Sequence, residues 1–169
     1  MKHLRYLSYV LRHKWFVLLA GLKVSAPLWR LIIHDWSKFL PSEWNPYVQN
    51  FYGDDSHEAL DAISEFSLAE LAPYGFYTKD RFTVAWNHHQ KRNAHHWQYW
   101  LHTQDSGEQF PLPIPEQIAR EMVADWMGAG RAITGRWEVS EWYESNKEKI
   151  QLRYSTRRFV ESLLSEATP

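Results

Sequence analysis

Ionisable side chains on the apolar faces of helical segments are the feature that most constrains the fold of this chain. In the segment from Lys2 to Leu22, residues recur at spacings of four, three and four to form one stripe: Tyr6, Val10, His13 and Val17. A later stripe has the same kind of spacing: Ile118, Met122, Asp125, Ala129 and Ala132. An isolated charge is strongly disfavoured in a protein interior, so a carboxylate such as Asp125 must be paired, protonated or bound to a cation.

Start and stop signals divide the first third of the chain into helices. The first helix is predicted to end at Gly21, and Ser25 and Pro27 suit the start of a second helix that runs to His34-Asp35. Pro41 should stop or redirect this helix, and Ser42-Glu43 can restart a short turn.

The rest of the chain also follows a helical period. We predict a helix from His57 to about Leu71, and another that begins at Thr78 and leads into a histidine-rich run. Residues 103–115 read as a loop, Pro115 suits the first turn of the Asp125 helix, and two terminal helices follow. Nothing alternates with a strand period of two.

The fold prediction is therefore all-α, a bundle of about six to eight helices in a single domain. The domain is predicted to span residues 1–169, with a metal-binding core at about 3–135 and C-terminal helices at 139–166. Ten tryptophans are expected mostly in the core, although some could stack on a flat ligand.

The amino-acid composition limits which kinds of partner this chain can have. The 19 basic and 20 acidic side chains give a net charge of −1, which argues against a stable nucleic-acid partner. The chain has no cysteine, so a metal must be held without thiolate, and the reducing cytoplasm is the expected compartment. The apolar run Trp15–Leu22 is too short to span a bilayer, so no membrane partner is expected; it also resembles a signal-peptide core. Oligomeric state is not encoded.

The dipeptide His34-Asp35 offers a nitrogen and an oxygen ligand at the end of a helix. Lys38 follows His34 by one helical turn, so its ammonium can reach the same cavity and hold a phosphate oxygen or position a water. Each of these residues alone is more typical of a salt bridge or a solvated helix end. Together with His13 and Asp125, they favour a shared metal ion.

Two histidine doublets, His88-His89 and His95-His96, form the densest run of candidate ligands. Seven residues of helix rise about 10.5 Å, too far for one ion unless the helix breaks, although two ions could take one histidine each. One histidine of each doublet should face the centre, and the sequence leaves open which. Lys91 and Arg92 between the doublets are consistent with an anion over the site. The remaining histidines are predicted to be structural or solvent-facing: His3, His57 and His102.

The order His13, His34-Asp35, the doublets and Asp125 resembles the HD-domain superfamily of metal-dependent phosphohydrolases. The segment 34–41, His-Asp-Trp-Ser-Lys-Phe-Leu-Pro, is similar to the HD-x-x-K segment and trailing proline of its phosphodiesterase branch. The chain also resembles a small group of bacterial and phage proteins with His-Asp-Trp-Ser-Lys-Phe and His-His signatures, whose naming implies no activity.

The resemblance covers roughly residues 13–125 and implies one ion held by four residues and a second held by the middle histidines. The implied ligands of the first ion are His13, His34, Asp35 and Asp125. The interval between His88 and His95 is shorter than separate helix-borne ligands would need. No Gly-Tyr-Pro signature follows, so specificity for cyclic dinucleotides is not implied.

The expected function is a hydrolase with one or two divalent ions (Mn, Fe, Zn, Ni or Mg) that acts on a nucleotide or other small phosphate ester. Asp35 would serve as ligand and orient the attacking water, while cations would neutralise charge on phosphate: Lys38, Lys91, Arg92 and Arg131. Two alternatives stay open. One is an HD-type di-iron oxygenase, and the other is a non-catalytic helical protein with a structural metal.

Overall fold

Seven α-helices and one short β-hairpin form the described part of the chain. The computed structural model describes residues 1–53 and 78–167. The α-helices are α1 (Lys2–Lys23), α2 (Leu28–Ile33), α3 (Pro41–Tyr52), α4 (Thr78–Arg92), α5 (Glu116–Thr134), α6 (Val139–Asn146) and α7 (Tyr154–Ala167). The prediction of a predominantly all-α single domain is confirmed. Among the described residues, no helix is long and apolar enough to cross a bilayer.

The chain divides into two compact units. The first unit contains Met1–Ser8 and Ser37–His89, and the second contains Tyr9–Trp36 and Gln90–Pro169. Helices α6 and α7 follow α5 in the chain, and all three belong to the second unit. The predicted helix from His57 to Leu71 lies outside the described residues.

The core of the second unit is built around α5, most of whose apolar positions are buried. Ala119, Met122 and Val123 have no exposed surface, and they pack with Val17 of α1 and Val160 of α7. This helix begins after Pro115, as predicted, because proline suits the start of a helix and lacks the N–H that the first turn leaves unbonded.

Helices α1 and α5 approach closely because Gly128 has no side chain. A Cβ at this position would lie 2.6 Å from the backbone nitrogen of Val17. His13 lies one turn before Val17 on α1, and Asp125 lies three residues before Gly128 on α5. The close approach therefore brings the two ionisable residues of the apolar stripes to the same place.

Helix α2 packs against α1 in the second unit. A Cβ on Gly21 would meet the side chain of Leu31 at 2.3 Å, so the two helices are in close contact. Lys14 of α1 donates hydrogen bonds to the carbonyl oxygens of Ile32 and His34. These bonds satisfy carbonyl groups that the end of a helix leaves without partners.

Aromatic contacts hold the first unit together. Tyr6 of α1 packs edge-on against Trp44 of α3 at a centroid separation of 4.8 Å, and Tyr47 packs against Phe82 of α4 at 5.2 Å. The prediction that a short turn restarts after Pro41 is wrong. Pro41 is the first residue of the twelve-residue α3, since proline is well suited to the first position of a helix.

The segment predicted as a loop, residues 103–115, contains part of a β-hairpin. Strand β1 (Leu101–Thr103) pairs antiparallel with β2 (Gln109–Pro111), with His102 opposite Phe110. The turn contains Gly107 with a φ of 87°. Three-residue strands are too short to show an alternation of two, which explains why the sequence indicated no strand.

Candidate metal centre

Four buried side chains from three helical segments of the second unit converge. They are contributed by α1, by the end of α2 and by α5: His13, His34, Asp35 and Asp125. Each offers one ligand atom, and these atoms lie within 4.8 Å of one another. The structure thus brings together the four residues that the resemblance implies as ligands of one ion.

The separations between these atoms fit a small metal ion. His13 Nε2 lies 3.1 Å from Asp35 Oδ2 and 3.2 Å from Asp125 Oδ1. His34 Nε2 lies 3.3 Å from Asp125 Oδ1 and 3.4 Å from His13 Nε2. An ion with four tetrahedral ligands at about 2.0–2.1 Å holds them about 3.3–3.4 Å apart. The four groups therefore surround a space of the right size for such an ion.

The backbone at the end of α2 allows two adjacent residues to face one point. In a continuing helix, neighbouring side chains point about 100° apart. Here His34 leaves the helix with a ψ of 131°, and Asp35 adopts a left-handed conformation with a φ of 55°. Aspartate is one of the few residues that tolerate this region, so the turn and the ligand can share one position.

Glu121 is a member of the site that the sequence analysis missed. His34 donates its Nδ1–H to Glu121 Oε1 at 3.1 Å, and Arg30 donates from Nε to Glu121 Oε2 at 2.5 Å. In its neutral form, with the proton on Nδ1, His34 presents the lone pair of Nε2 to the space that it shares with Asp125 and His13. Such carboxylate–histidine pairs orient metal ligands in many proteins. The available signal was the spacing of four residues between Glu121 and Asp125 on α5, which places both on one helical face.

Asp35 faces a second group of potential ligands with its other oxygen. His95 Nε2 lies 3.2 Å from Asp35 Oδ1, while His95 Nδ1 lies 3.3 Å from Glu121 Oε1. Asp35, His95 and His96 each offer a ligand atom within 4.8 Å of the others. Helix α4 ends at Arg92, so the 10.5 Å rise expected for a continuous helix does not apply to this doublet.

The electrostatics of the carboxylates favour their charged forms. Burial acts to raise the pKa of Glu121, but hydrogen bonds from His34 and His95 outweigh it and lower this pKa from 4.5 to about 2. Burial also acts to raise the pKa of Asp125. Hydrogen bonds with His13 and His34 outweigh it and hold this pKa well below the usual range. Both carboxylates are therefore ionised at neutral pH and suited to a cation.

The pKa values of two histidines in the centre are shifted upwards. Burial acts to lower the pKa of His34, but the charges and hydrogen bonds of Asp35, Asp125 and Glu121 raise it above 6.5 on balance. The pKa of His95 is also raised, because Asp35 and Glu121 outweigh burial and the proximity of His34. Protons on these rings thus partly balance the carboxylates, a role that a metal ion also performs.

The other doublet lies in the first unit, where its two members differ. His88 is exposed and belongs to no group of potential metal ligands among the described residues. His89 is fully buried, and its Nδ1 lies 2.7 Å from Glu43 Oε2. Glu43, also fully buried, accepts a hydrogen bond from Ser37 Oγ at 2.9 Å. Glu43 is a second buried carboxylate beside a histidine that the sequence analysis did not select.

The predicted substrate-binding cations have varied surroundings. Lys38 is buried in the first unit, within the 3₁₀ turn Trp36–Phe39. Lys91 is exposed and donates to the carbonyl of Gln98 at 2.8 Å, and Arg92 is exposed. The guanidinium of Arg131 lies over two aromatic rings of the second unit, those of Phe16 and Trp137. Their role in binding phosphate stays a prediction.

Two of the three histidines set aside in the sequence analysis are exposed. His3 accepts a hydrogen bond from Trp44 Nε1 at 2.9 Å, and His102 packs edge-on against Phe110 in the hairpin. His57 lies outside the described residues.

Comparison with known proteins assigns the chain to a family but not to an activity. A family model described as "Family of unknown function (DUF5662)" matches residues 2–166. No curated protein and no solved structure matches the chain. Membership of the HD-domain superfamily stays a prediction. Because the matched region covers nearly the whole sequence, the chain belongs to the family of unknown function DUF5662.

Proposed function

We propose that this chain is a metal-dependent phosphohydrolase that cleaves a phosphate ester, with nucleotides as the favoured substrate class. The observation that carries the proposal is the four-residue centre. Two imidazole nitrogens and two carboxylate oxygens lie at separations of 3.1–3.5 Å in five of their six pairs. The resemblance to HD domains is the reason for proposing a phosphate ester as the substrate.

The donor set limits which metals suit the centre. Imidazole and carboxylate without thiolate favour borderline or hard divalent ions, so Mn, Fe, Zn and Ni are the candidates, with Mg less suited to imidazole. A divalent ion in this position would lower the pKa of a bound water and polarise a phosphoryl oxygen. In the net reaction, the water oxygen forms a bond to phosphorus, the ester P–O bond breaks, and the leaving oxygen takes a proton.

The residues of the chain would contribute orientation and charge. Glu121 holds His34 and His95 in fixed ring orientations, and the Arg30 guanidinium holds Glu121 in turn. Asp35 would accept a hydrogen bond from the attacking water and so orient it. Lys91 and Arg92, which belong to the same unit as the centre, would neutralise charge that develops on the phosphate.

We infer that the centre holds two ions. The support is the position of Asp35, whose Oδ2 faces His13 while its Oδ1 faces His95. A carboxylate that presents its two oxygens to separate groups of ligands is typical of dinuclear hydrolytic sites, in which the ions lie about 3.5–4 Å apart. His95 and His96 would then serve the second ion.

The same arrangement of Asp35 also favours one alternative, a di-iron oxygenase. A bridging carboxylate and several histidines would suit a pair of iron ions that activate dioxygen. Coupled di-iron spectra together with dioxygen consumption would establish this alternative in place of hydrolysis. Metal content without any turnover would instead point to a structural metal.

Elemental analysis of the purified protein, followed by a screen of nucleotides and simple phosphodiesters with each candidate metal, tests the proposal. We expect bound divalent metal, and hydrolysis that chelation abolishes and metal restores. Asp125→Asn should lose both metal and hydrolysis, whereas the matched exchange Asp105→Asn in the exposed hairpin turn should keep both. Purified protein that takes up none of these metals would refute the proposal.

A further inference from the structure

Helices α1 and α2 both expose large apolar side chains to solvent. Six residues, each more than half exposed, form what we call the apolar patch: Leu11, Trp15, Leu22, Trp29, Ile32 and Ile33. All six belong to the second unit. Monomeric proteins rarely expose contiguous apolar surface of this kind unless it binds a partner or a membrane.

The two helices contribute to one surface because α2 lies along α1. Lys14 and Gly21, seven residues apart, mark the side of α1 that contacts α2 through Ile32 and Leu31. The α1 members of the patch recur at four and seven residues, so they form a single row, and this row comes next around the helix from Lys14. The exposed side chains of α2 therefore extend the apolar surface of α1.

The segment that carries the patch has charges of one sign. Residues 1–34 contain six lysines and arginines and no aspartate or glutamate, whereas residues 35–169 contain thirteen basic and twenty acidic side chains. Arg12 and Lys23 are exposed, and a spacing of eleven residues, about three turns, places them in one row beside the apolar row. A second copy of the chain on this patch would bring two positive surfaces together. An anionic partner would not meet this repulsion.

Although the sequence alone predicts no membrane partner, we propose that the apolar patch docks on the surface of a bilayer that contains anionic lipid. Helix α1 would lie in the plane of the interface, with its apolar row among the upper acyl chains and with Arg12 and Lys23 against headgroup phosphates. Apolar residues with tryptophan on one face and cations beside them are typical of such interfacial helices. The cytoplasmic leaflet of a membrane supplies the negative surface. This surface is separate from the metal centre, so the proposal does not depend on the phosphohydrolase activity.

Sedimentation with lipid vesicles tests the proposal on the full chain. We expect binding to vesicles of phosphatidylcholine mixed with phosphatidylglycerol and much weaker binding to phosphatidylcholine alone. Ile32→Ser should weaken binding by about tenfold, because one apolar side chain is lost from the interface. Arg12→Glu should also weaken binding, because it reverses a charge that faces the anionic headgroups. Ile133→Ser and Arg158→Glu remove an exposed isoleucine and an exposed arginine from α5 and α7, and they should leave binding unchanged.

Two results would overturn the proposal. One is equal recovery of the protein with and without anionic vesicles. The other is a dimer in solution that Ile32→Ser dissociates, since the patch would then be an interface between two copies. Because the exchanged side chains are exposed, all four variants should keep the circular dichroism spectrum of the parent protein.

Discussion

Glu121 accepts a hydrogen bond from His34 at 3.1 Å, and this bond determines which ring nitrogen of His34 faces the metal centre. The two residues are 87 positions apart in the sequence and meet because α2 and α5 belong to the same unit. A neutral imidazole has one protonated and one unprotonated nitrogen, so a carboxylate at Nδ1 reserves Nε2 for a metal.

Exchange of Glu121 for glutamine should weaken metal binding by about 10–100-fold, the range for the loss of such an outer carboxylate. Glutamine keeps the shape of the side chain and removes the charge that favours the protonated Nδ1. Competition with a chromophoric chelator measures the affinity. Glu116→Gln, at an exposed position of the same helix, is the matched control and should bind metal as the parent does. Unchanged affinity in Glu121→Gln would show that the carboxylate does not orient the ligands.

Metal affinity should rise with pH through and above pH 6.5. The pKa values of His34 and His95 are raised in the metal-free protein, since neighbouring carboxylates outweigh burial, and a protonated imidazole cannot bind a metal. Binding near neutral pH should therefore release protons. Titration calorimetry in buffers of different ionisation enthalpy counts them. A heat of binding that is independent of the buffer would contradict this prediction.

The metal-free protein should be less stable at both ends of the pH range. The raised histidine pKa values stabilise the fold below pH 6.5, and this contribution is lost as pH rises through the folded values. The lowered pKa of Glu121 stabilises the fold above pH 4.5, and this contribution is lost as pH falls towards 2. Tm measured across pH should therefore show a maximum between 4.5 and 6.5, and added metal should raise Tm most on the alkaline side. A flat alkaline limb would argue against charged histidines in the centre.

Exchange of Gly128 for alanine should disturb both the fold and the centre. The new Cβ would lie 2.6 Å from the Val17 backbone nitrogen, so α1 and α5 must separate, at a penalty of about 1–3 kcal/mol for overpacking. Separation moves His13 away from Asp125 and should lower metal content. Urea unfolding and elemental analysis measure the two effects.

Gly130 provides the matched control for this prediction. It lies two residues further along α5, and a Cβ there would meet nothing within 4 Å. Gly130→Ala should raise the unfolding free energy by about 0.5–1 kcal/mol, because alanine favours a helix more than glycine does. If both variants behaved alike, the helix contact at Gly128 would not govern the site.

Sequence periodicity found the residues that lie within apolar stripes. His13 and Asp125 were selected because a polar group interrupts a run of apolar positions, and the structure places both in the interior. The search for polar residues within apolar stripes did not select Glu121, because it lies beside the stripe of α5 and its partner His34 is distant in the sequence. The spacing of four residues places Glu121 on the same helical face as Asp125, but only the tertiary contacts show that His34 is its partner.

The histidine doublets show a second limit of sequence reasoning. Which member of a doublet is buried depends on the rotation of its helix and on where the helix ends. Helix α4 ends at Arg92, between the doublets, and no strong breaker such as proline or glycine marks this position. The burial of His89 therefore followed from packing, whereas the end of α4 had only the weaker local signal of Asn93 after Arg92.

The left-handed backbone of Asp35 makes aspartate and glutamate unequal at this position. Glutamate carries the same charge, but it lacks the short side chain that lets aspartate and asparagine adopt this conformation readily, and its carboxylate would extend one methylene further. Asparagine would accept the backbone and lose the charge. The exchange to glutamate, which keeps the charge, would thus be as damaging as the exchange to asparagine, which keeps the shape. Only aspartate meets both the backbone and the charge requirement at position 35.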